Sequence, residues 1–374
     1  MKIGLVCPYS IAKGGGVKEH VLAVRNELVK RGHDVHIITP RPKDCEPDPA
    51  EKIIFVGTAT DFNSPLQTTV QLSAADDDAI NDMLEREQFD VLHFHEPWVP
   101  VLSRQILSRS NAVNVATFHA KLPDTVMMQA MSKVITPYTK SVLKYIHEFT
   151  AVSEAAADYV STLTTQPIAL IPNGIDLSLY KTSRRKDKAA EAEKTILYIG
   201  RLEQRKGVLY LLRAYVELLA SQPNTRLLIA GDGPDREKLQ EFCIENELHD
   251  VTFMGFITEK EKLSLLKEAD LFCSPALYGE SFGIVLLEAM ASGLVTVCGD
   301  NPGYTGVMTG LGSLSVIDPK DTPDFARRLQ LLLQENGLRA LWRDWAKAQL
   351  PQYDYKVVTD QYEEVYSQAL EQHR

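Results

Sequence analysis

Two successive series of short β-rich runs, each run separated from the next by a stretch of helical periodicity, constrain this chain more than any other feature. The first series comprises Ile3 to Cys7, Val35 to Thr39, Ile53 to Val56, Val91 to Phe94, Val113 to Phe118 and Ile168 to Ile171. The second comprises Ile196 to Ile199, Leu227 to Ala230, Val251 to Met254, Leu271 to Cys273 and Val295 to Cys298. Such alternation predicts α/β architecture, because parallel strands need crossovers long enough for a helix, and those helices cover both sheet faces. Within the first crossover Val17, Val21, Val24, Leu28 and Val29 recur at helical spacing, and Gly32 follows as a stop.

Between the two series, Lys181 to Lys194 is rich in charge and poor in apolar side chains, the composition of a linker. A chain of 374 residues also exceeds what one hydrophobic core usually serves. The expectation is two Rossmann-like domains with a ligand cleft between them, one made of residues 1–180 and the other of residues 181–352. After Tyr353 a last helical stretch carries an apolar stripe of Val357, Val358, Tyr362, Val365, Tyr366 and Leu370. Periodicity alone does not say where that stripe docks.

Charge and cysteine content narrow the function. A net charge of -10 argues against nucleic acid as a partner and requires any anion site to be built locally. Cys7, Cys45, Cys243, Cys273 and Cys298 are odd in number and scattered, which suits neither a disulfide framework nor a structural zinc site. Neither a secretion signal nor an apolar run of about 18 residues is evident, so a cytoplasmic location is expected.

The chemistry-bearing residues cluster after strands. The first strand opens into Pro8, Tyr9, Ser10 and on to Gly14, Gly15 and Gly16 before a helix, a layout in which backbone amides can approach an anion. A flexible turn is the other reading. In the second half, the segment Gly200 to Gly207 places Arg201, Arg205 and Lys206 at a carboxyl sheet edge. Arg201 and Lys206 there could neutralise a diphosphate leaving group. The segment LYGESFGIVLLEAMASG carries Glu280 and Glu288. With a helix opening at Ser281, Phe282, Gly283 and Ile284, the two carboxylates would share one helix face about 12 Å apart. One would grip a sugar and the other a ribose. A capping role for Glu280 and a solvated Glu288 are the alternatives, although Glu288 sits among Leu286, Leu287, Ala289 and Met290. His119 and Glu96 also follow strands directly, while Asn173, Gly174, Gly231 and Gly233 sit at further strand ends where they could be simple turns.

In order along the chain, GGGV, FHEP, ATFH, IPNGID, GRLEQRKG, AGDGP and GESFGIVLLEAMASG resemble glycosyltransferase family 4, enzymes of the GT-B fold. The opening MKIGLVCPYS with FDVLHFHEP is most similar to the phosphatidylinositol mannosyltransferase branch. The resemblance implies a retaining hexosyltransferase that moves a mannose- or glucose-type sugar from a GDP- or UDP-linked donor. It implies no metal and no further cofactor. Gly15 and Gly16 would face donor phosphates, Arg201 and Lys206 the diphosphate, Glu280 the sugar, Ser281 to Ile284 a phosphate, Glu288 the ribose, and His119 the sugar near its reacting carbon. Asn173 and Gly231 would join the donor site, and Gly255 and Ile257 would lie near the base. The last helix, residues 353–374, would return to the first domain.

The acceptor would be a small molecule, lipid or glycan, with Tyr9, Lys18 and Trp98 placed to meet it. Lys18 and Trp98 depart from the glutamine and asparagine usual in that branch. Where the branch has a basic membrane-binding helix, this chain has Ala74, Ala75, Asp76, Asp77, Asp78, Ala79, Ile80, Asn81 and Asp82, which anionic lipid would repel. A second lipid-facing candidate runs from Val126 to Ile135, with a core helix as the other reading. Competing functions on this architecture are a sugar-nucleotide epimerase or phosphorylase and a non-catalytic sugar-nucleotide sensor.

Overall fold

The structure is a computed structural model that describes residues 1–9, 15–42, 52–63, 69–121, 136–180, 188–189 and 192–373. The chain forms two compact units, Met1–Gly174 with Tyr355–Arg374, and Ile175–Asp354. It leaves the first unit after Gly174, ahead of the charged 181–194 stretch. Most of that stretch, Cys45 and the Val126 to Ile135 segment lie outside the described residues.

The first unit is built on strands β1 (Lys2–Val6), β2 (Asp34–Arg41), β3 (Ile53–Asn63), β4 (Thr69–Ala74), β5 (Val91–His95), β6 (Val113–Phe118), β7 (Glu148–Ala151) and β8 (Ile168–Leu170). Their order across the sheet is β4-β3-β2-β1-β5-β6-β7-β8, and every pair is parallel except β3 with β4. Successive strands build outward from β1 on one side and from β5 on the other, so the winding reverses between them. That reversal is where open α/β sheets bind ligands. The run anticipated at Ile53 to Val56 extends to Asn63 and turns back into β4, and β7 was not anticipated. Both are short strands toward the flanks of the sheet that carry polar residues, Thr69, Gln71 and Ser73 in β4 and Glu148 and Thr150 in β7, so neither leaves a continuous apolar signature.

The helix Gly16–Lys30 packs Val21, Val24 and Leu28 onto β1 and β2, and the helix Tyr355–His373 lies beside it. Val358, Tyr362, Tyr366, Ala369 and Leu370 enter the same core as Ile3, Leu5, Val91 and Val115. The apolar stripe of the last helix therefore docks on the first unit. Arg31 reinforces the docking through Asp360 at 2.6 Å and through Glu363, and His33 Nε2 meets Glu363 Oε1 at 2.6 Å.

The second unit contains β9 (Lys194–Ile199), β10 (Thr225–Ala230), β11 (Val251–Gly255), β12 (Leu271–Ser274), β13 (Thr296–Gly299) and β14 (Val316–Ile317). The sheet is parallel throughout, in the order β11-β10-β9-β12-β13-β14, and its winding reverses between β9 and β12. Tyr198, Tyr215, Phe272, Tyr304, Phe325 and Trp342 fill its core. Where the chain enters and leaves this unit, the Ile175 amide donates to the Tyr353 carbonyl at 2.8 Å.

Candidate functional site

In the second unit the two strands that flank the reversal deliver the charged residues. The loop after β9 carries Arg201, Glu203, Arg205 and Lys206, and the loop after β12 carries Glu280. The loops are joined by the Leu277 amide, which donates to the Arg205 carbonyl at 2.8 Å. They also meet at Gly207, whose φ of +70° and whose approach to the Pro275 carbonyl leave no room for a Cβ, which would lie 2.0 Å from that oxygen. Glu280 Oε1 accepts from Arg205 Nη1 and Lys206 Nζ, each at 2.7 Å. Glu203, 5% exposed, is bracketed by Arg201 Nε at 2.8 Å and Arg205 Nε at 2.9 Å. Burial alone would make the Arg205 guanidinium easier to deprotonate, but Glu280 and Glu203 together hold its pKa above the usual value.

Arg205 is the member that sequence reasoning passed over. It links both carboxylates, whereas Arg201 is more than half exposed and pairs with Glu203. Three cations in one loop were visible in the sequence. Which of them would point back toward Glu280 depends on the course of a loop 75 residues further on.

The helix after Glu280 spans Ile284–Ala291, with Gly283 at its N-cap at φ +105°. This corrects the expectation that the helix opens at Ser281 and that Glu280 and Glu288 share one helix face. Ser281, Phe282 and Gly283 form a turn ahead of the helix, and only Glu288 is on it. The turn forms because Gly283 takes a left-handed backbone that ends helical continuation toward the N-terminus. Glu288 is neither solvated nor alone. Its Oε1 accepts from Lys262 Nζ at 2.6 Å and from Tyr180 Oη at 3.3 Å. Burial raises the pKa of Glu288, and Lys262 only partly offsets this.

Gly231 and Gly255 lie at the neighbouring ends of β10 and β11, where the Gly231 amide donates to the Gly255 carbonyl at 2.8 Å. A Cβ on Gly231 would lie 1.8 Å from the Gly200 carbonyl, so close strand approach by itself requires this glycine. Ile257 is half-buried, and its neighbour Phe256 is the most exposed large apolar side chain among the described residues at 83%.

In the first unit the reversal between β1 and β5 is lined by imidazoles. His95 ends β5, His119 follows β6, and His20 comes from the helix Gly16–Lys30. His95 Nδ1 and His119 Nε2 share a hydrogen bond of 2.9 Å, and ring centroids of His20 lie 5.0 Å from His119 and 5.7 Å from His95. All three are buried. Burial lowers the pKa of His20 to about 3 and holds His95 and His119 well below the usual value, so the rings are neutral near pH 7. Asn173 is buried beside His119 and favours its protonated form. Glu96, at φ +51°, accepts the His119 and Ala120 amides on Oε1, the latter at 2.6 Å. Burial raises its pKa to about 7. Below this layer His93 bonds Tyr366 at 2.7 Å and Thr117 at 2.6 Å, and His20 bonds Tyr362 at 3.2 Å, so the C-terminal helix supports the histidines directly.

The remaining residues singled out in the sequence lie around that edge. Gly15 and Gly16 are exposed, and a Cβ on Gly15 would touch nothing within 4 Å among the described residues. Gly15 is extended at φ 162°, so neither backbone nor packing demands glycine there. Tyr9 and Lys18 are half-buried, and Trp98 packs edge-on against Phe118 at 5.3 Å. The acidic stretch forms the helix Asp77–Glu87, whose Asp76, Asp77, Asp78 and Asp82 are exposed. No helix among the described residues is long and apolar enough to cross a membrane.

Known proteins are similar to this chain in sequence and in fold. The family model "Glycosyltransferase Family 4" matches residues 14–179, and "Glycosyl transferases group 1" matches residues 180–349. The phosphatidyl-myo-inositol mannosyltransferase of Mycolicibacterium smegmatis is 31% identical over 370 residues, 98% of this chain and 93% of that protein. Its Mycobacterium tuberculosis counterpart is 32% identical over 375 residues, 98% and 96% of the two chains. Among solved structures, sucrose-phosphate synthase from Thermosynechococcus elongatus superposes with a TM-score of 0.76 at 19% identity, covering 98% of each chain. Anabaena Alr3699/HepE in complex with UDP-glucose gives 0.76 at 18% identity over 98% of this chain and 100% of that one. At such identities these two likenesses establish the GT-B fold alone.

Proposed function

The chain belongs to glycosyltransferase family 4 and transfers sugar from a nucleotide sugar, and from that premise we propose a retaining hexosyltransferase using a GDP- or UDP-linked mannose- or glucose-type donor. The observation that carries this reading is the single oxygen of Glu280 held by Arg205 and Lys206 at the reversal between β9 and β12. Two cations beside one carboxylate suit a ligand that is anionic at one end and hydroxyl-rich at the other. The diphosphate takes Lys206 and Arg201, and Glu280 accepts hydrogen bonds from sugar hydroxyls.

Glu288, desolvated and steadied by Lys262, serves the ribose hydroxyls, and amides of the Ser281 to Ile284 turn meet the distal phosphate. Gly255 and Ile257 border the base, and Asn173 and Gly231 complete the donor contacts. Gly15 and Gly16, both exposed, admit the donor phosphates to the backbone. His119 contacts the sugar near its reacting carbon and is held neutral, which suits a hydrogen-bond partner better than a general acid. The departing phosphate takes the acceptor proton, so Arg201 and Lys206 stabilise the leaving group while it does so.

The acceptor is a lipid or glycan hydroxyl met by Tyr9, Lys18 and Trp98, of the phosphatidylinositol type found in the names of the relatives. The test is nucleoside diphosphate release across a panel of GDP- and UDP-hexoses with phosphatidylinositol, diacylglycerol and glycan acceptors. Release with at least one donor and acceptor pair, abolished in Glu280→Ala, is expected. Silence with every pair, or full turnover in Glu280→Ala, defeats the reading.

A further inference from the structure

The same three histidines carry an inference beyond sugar transfer. One nitrogen from each of His20, His95 and His119 lies within 4.8 Å of the others, and all three rings are buried. His20 Nδ1 and His95 Nε2 are buried with no hydrogen-bond partner. Orphaned nitrogens in a dry interior are costly, and an ion is one way such groups are satisfied. One of the rings is already oriented from behind, His20 by the Tyr362 hydroxyl at 3.2 Å, as ligating imidazoles usually are. A dication in a dry interior also needs negative charge close by, and buried Glu96 is bonded to the His119 amide and follows His95 in the chain.

We propose that His20, His95 and His119 form a binding site for a divalent transition ion of the Zn2+ class, and that its occupancy withdraws His119 from the donor sugar. The second clause rests on the sugar-contacting role given to His119 above; the first does not. Three imidazoles with a fourth position open match the preference of Zn2+ and Co2+ for tetrahedral nitrogen sites. Ligation forms three nitrogen–metal bonds, breaks the His95–His119 hydrogen bond and sheds water from the ion. Each neutral ring ligates through one nitrogen and keeps its single proton on the other, so no net proton is released.

The test uses the full chain freed of metal by chelation and titrated with Co2+, followed by the visible absorption of tetrahedral cobalt, and with Zn2+ by calorimetry. One ion per chain is expected. That binding is lost in His20→Phe, weakened about tenfold in Tyr362→Phe, and unchanged in His249→Ala, which removes an exposed histidine elsewhere. X-ray absorption of the wild-type zinc form keeps the test independent of variant folding, with three imidazole nitrogens expected at about 2.0–2.1 Å. Absence of stoichiometric binding, unaltered binding in a folded His20→Phe, or fewer than three imidazoles overturns the site. Saturating Zn2+ should suppress sugar transfer reversibly to chelator. Metal bound at three imidazoles with transfer intact upholds the site and overturns the role of His119.

Discussion

Glu280 Oε1 receives hydrogen bonds from Arg205 Nη1 and Lys206 Nζ at the same distance, 2.7 Å, so one carboxylate oxygen is shared by two cations on an adjacent loop. A nucleotide sugar entering this edge must compete for Lys206 or join it. Lys206→Ala is expected to raise the donor KM by roughly 10- to 100-fold, the worth of one charge-assisted hydrogen bond of about 1.5–3 kcal/mol. Glu280→Gln, which keeps shape and loses charge, should lower kcat by about 100-fold with a smaller change in KM. Steady-state kinetics on both variants checks the split.

Gly303 lies beneath Glu280, where an added Cβ would stand 2.3 Å from the Glu280 carbonyl oxygen. Gly303→Ala should push the Glu280 backbone outward, lowering kcat/KM by an order of magnitude or more and costing about 1–3 kcal/mol of stability. Gly306→Ala, on the same short helix Pro302–Val307, meets nothing within 4 Å and should leave both unchanged. Parallel thermal melts and initial rates separate the pair.

Lys262 is the cation that steadies Glu288. Lys262→Met should destabilise the protein by about 3 kcal/mol in urea unfolding at pH 7, because it leaves a mostly buried carboxylate unpaired. The pH dependence has a definite sign. Burial sets the folded pKa of Glu288 above its ordinary value of 4.5, so the folded state holds this proton more tightly than the unfolded one. The penalty of ionising Glu288 is therefore absent below that value and grows as pH rises through the folded pKa. The deficit of Lys262→Met should shrink at pH 4, and adding Glu288→Gln should restore part of it at pH 7.

Deleting residues 355–374 should leave the first unit without a native core, since Val358, Tyr362 and Tyr366 are fully buried in it. Loss of near-ultraviolet circular dichroism and of a cooperative melt is the expected outcome. Tyr366→Ala, a milder change, should cost about 3–5 kcal/mol.

Much of this was legible in the sequence because apolar periodicity is local. The runs at Ile3 to Cys7 and Leu271 to Cys273 announced buried parallel strands, and Glu288 stood out as a charge among Leu286, Leu287, Ala289 and Met290. Glu280 was recognisable by motif, although its geometry was misjudged, because the left-handed Gly283 delays the helix beyond Ser281. Arg205 and the grouping of His20 with His95 and His119 escaped notice for a different reason. Their significance lies in partners 75 to 99 positions away, brought near by sheet order, and no window of sequence contains such a relation.

The helix Tyr355–His373 has a consequence for how the molecule is made. Its residues leave the ribosome after the whole of the second unit, yet they belong to the core of the first unit. The second unit is one uninterrupted segment, Ile175–Asp354, and can finish folding while the tail is still being translated. Maturation thus runs against the usual N-terminal-first order. A premature stop codon shortly after Asp354 would release a chain with one finished half and one half left open to chaperones and proteases.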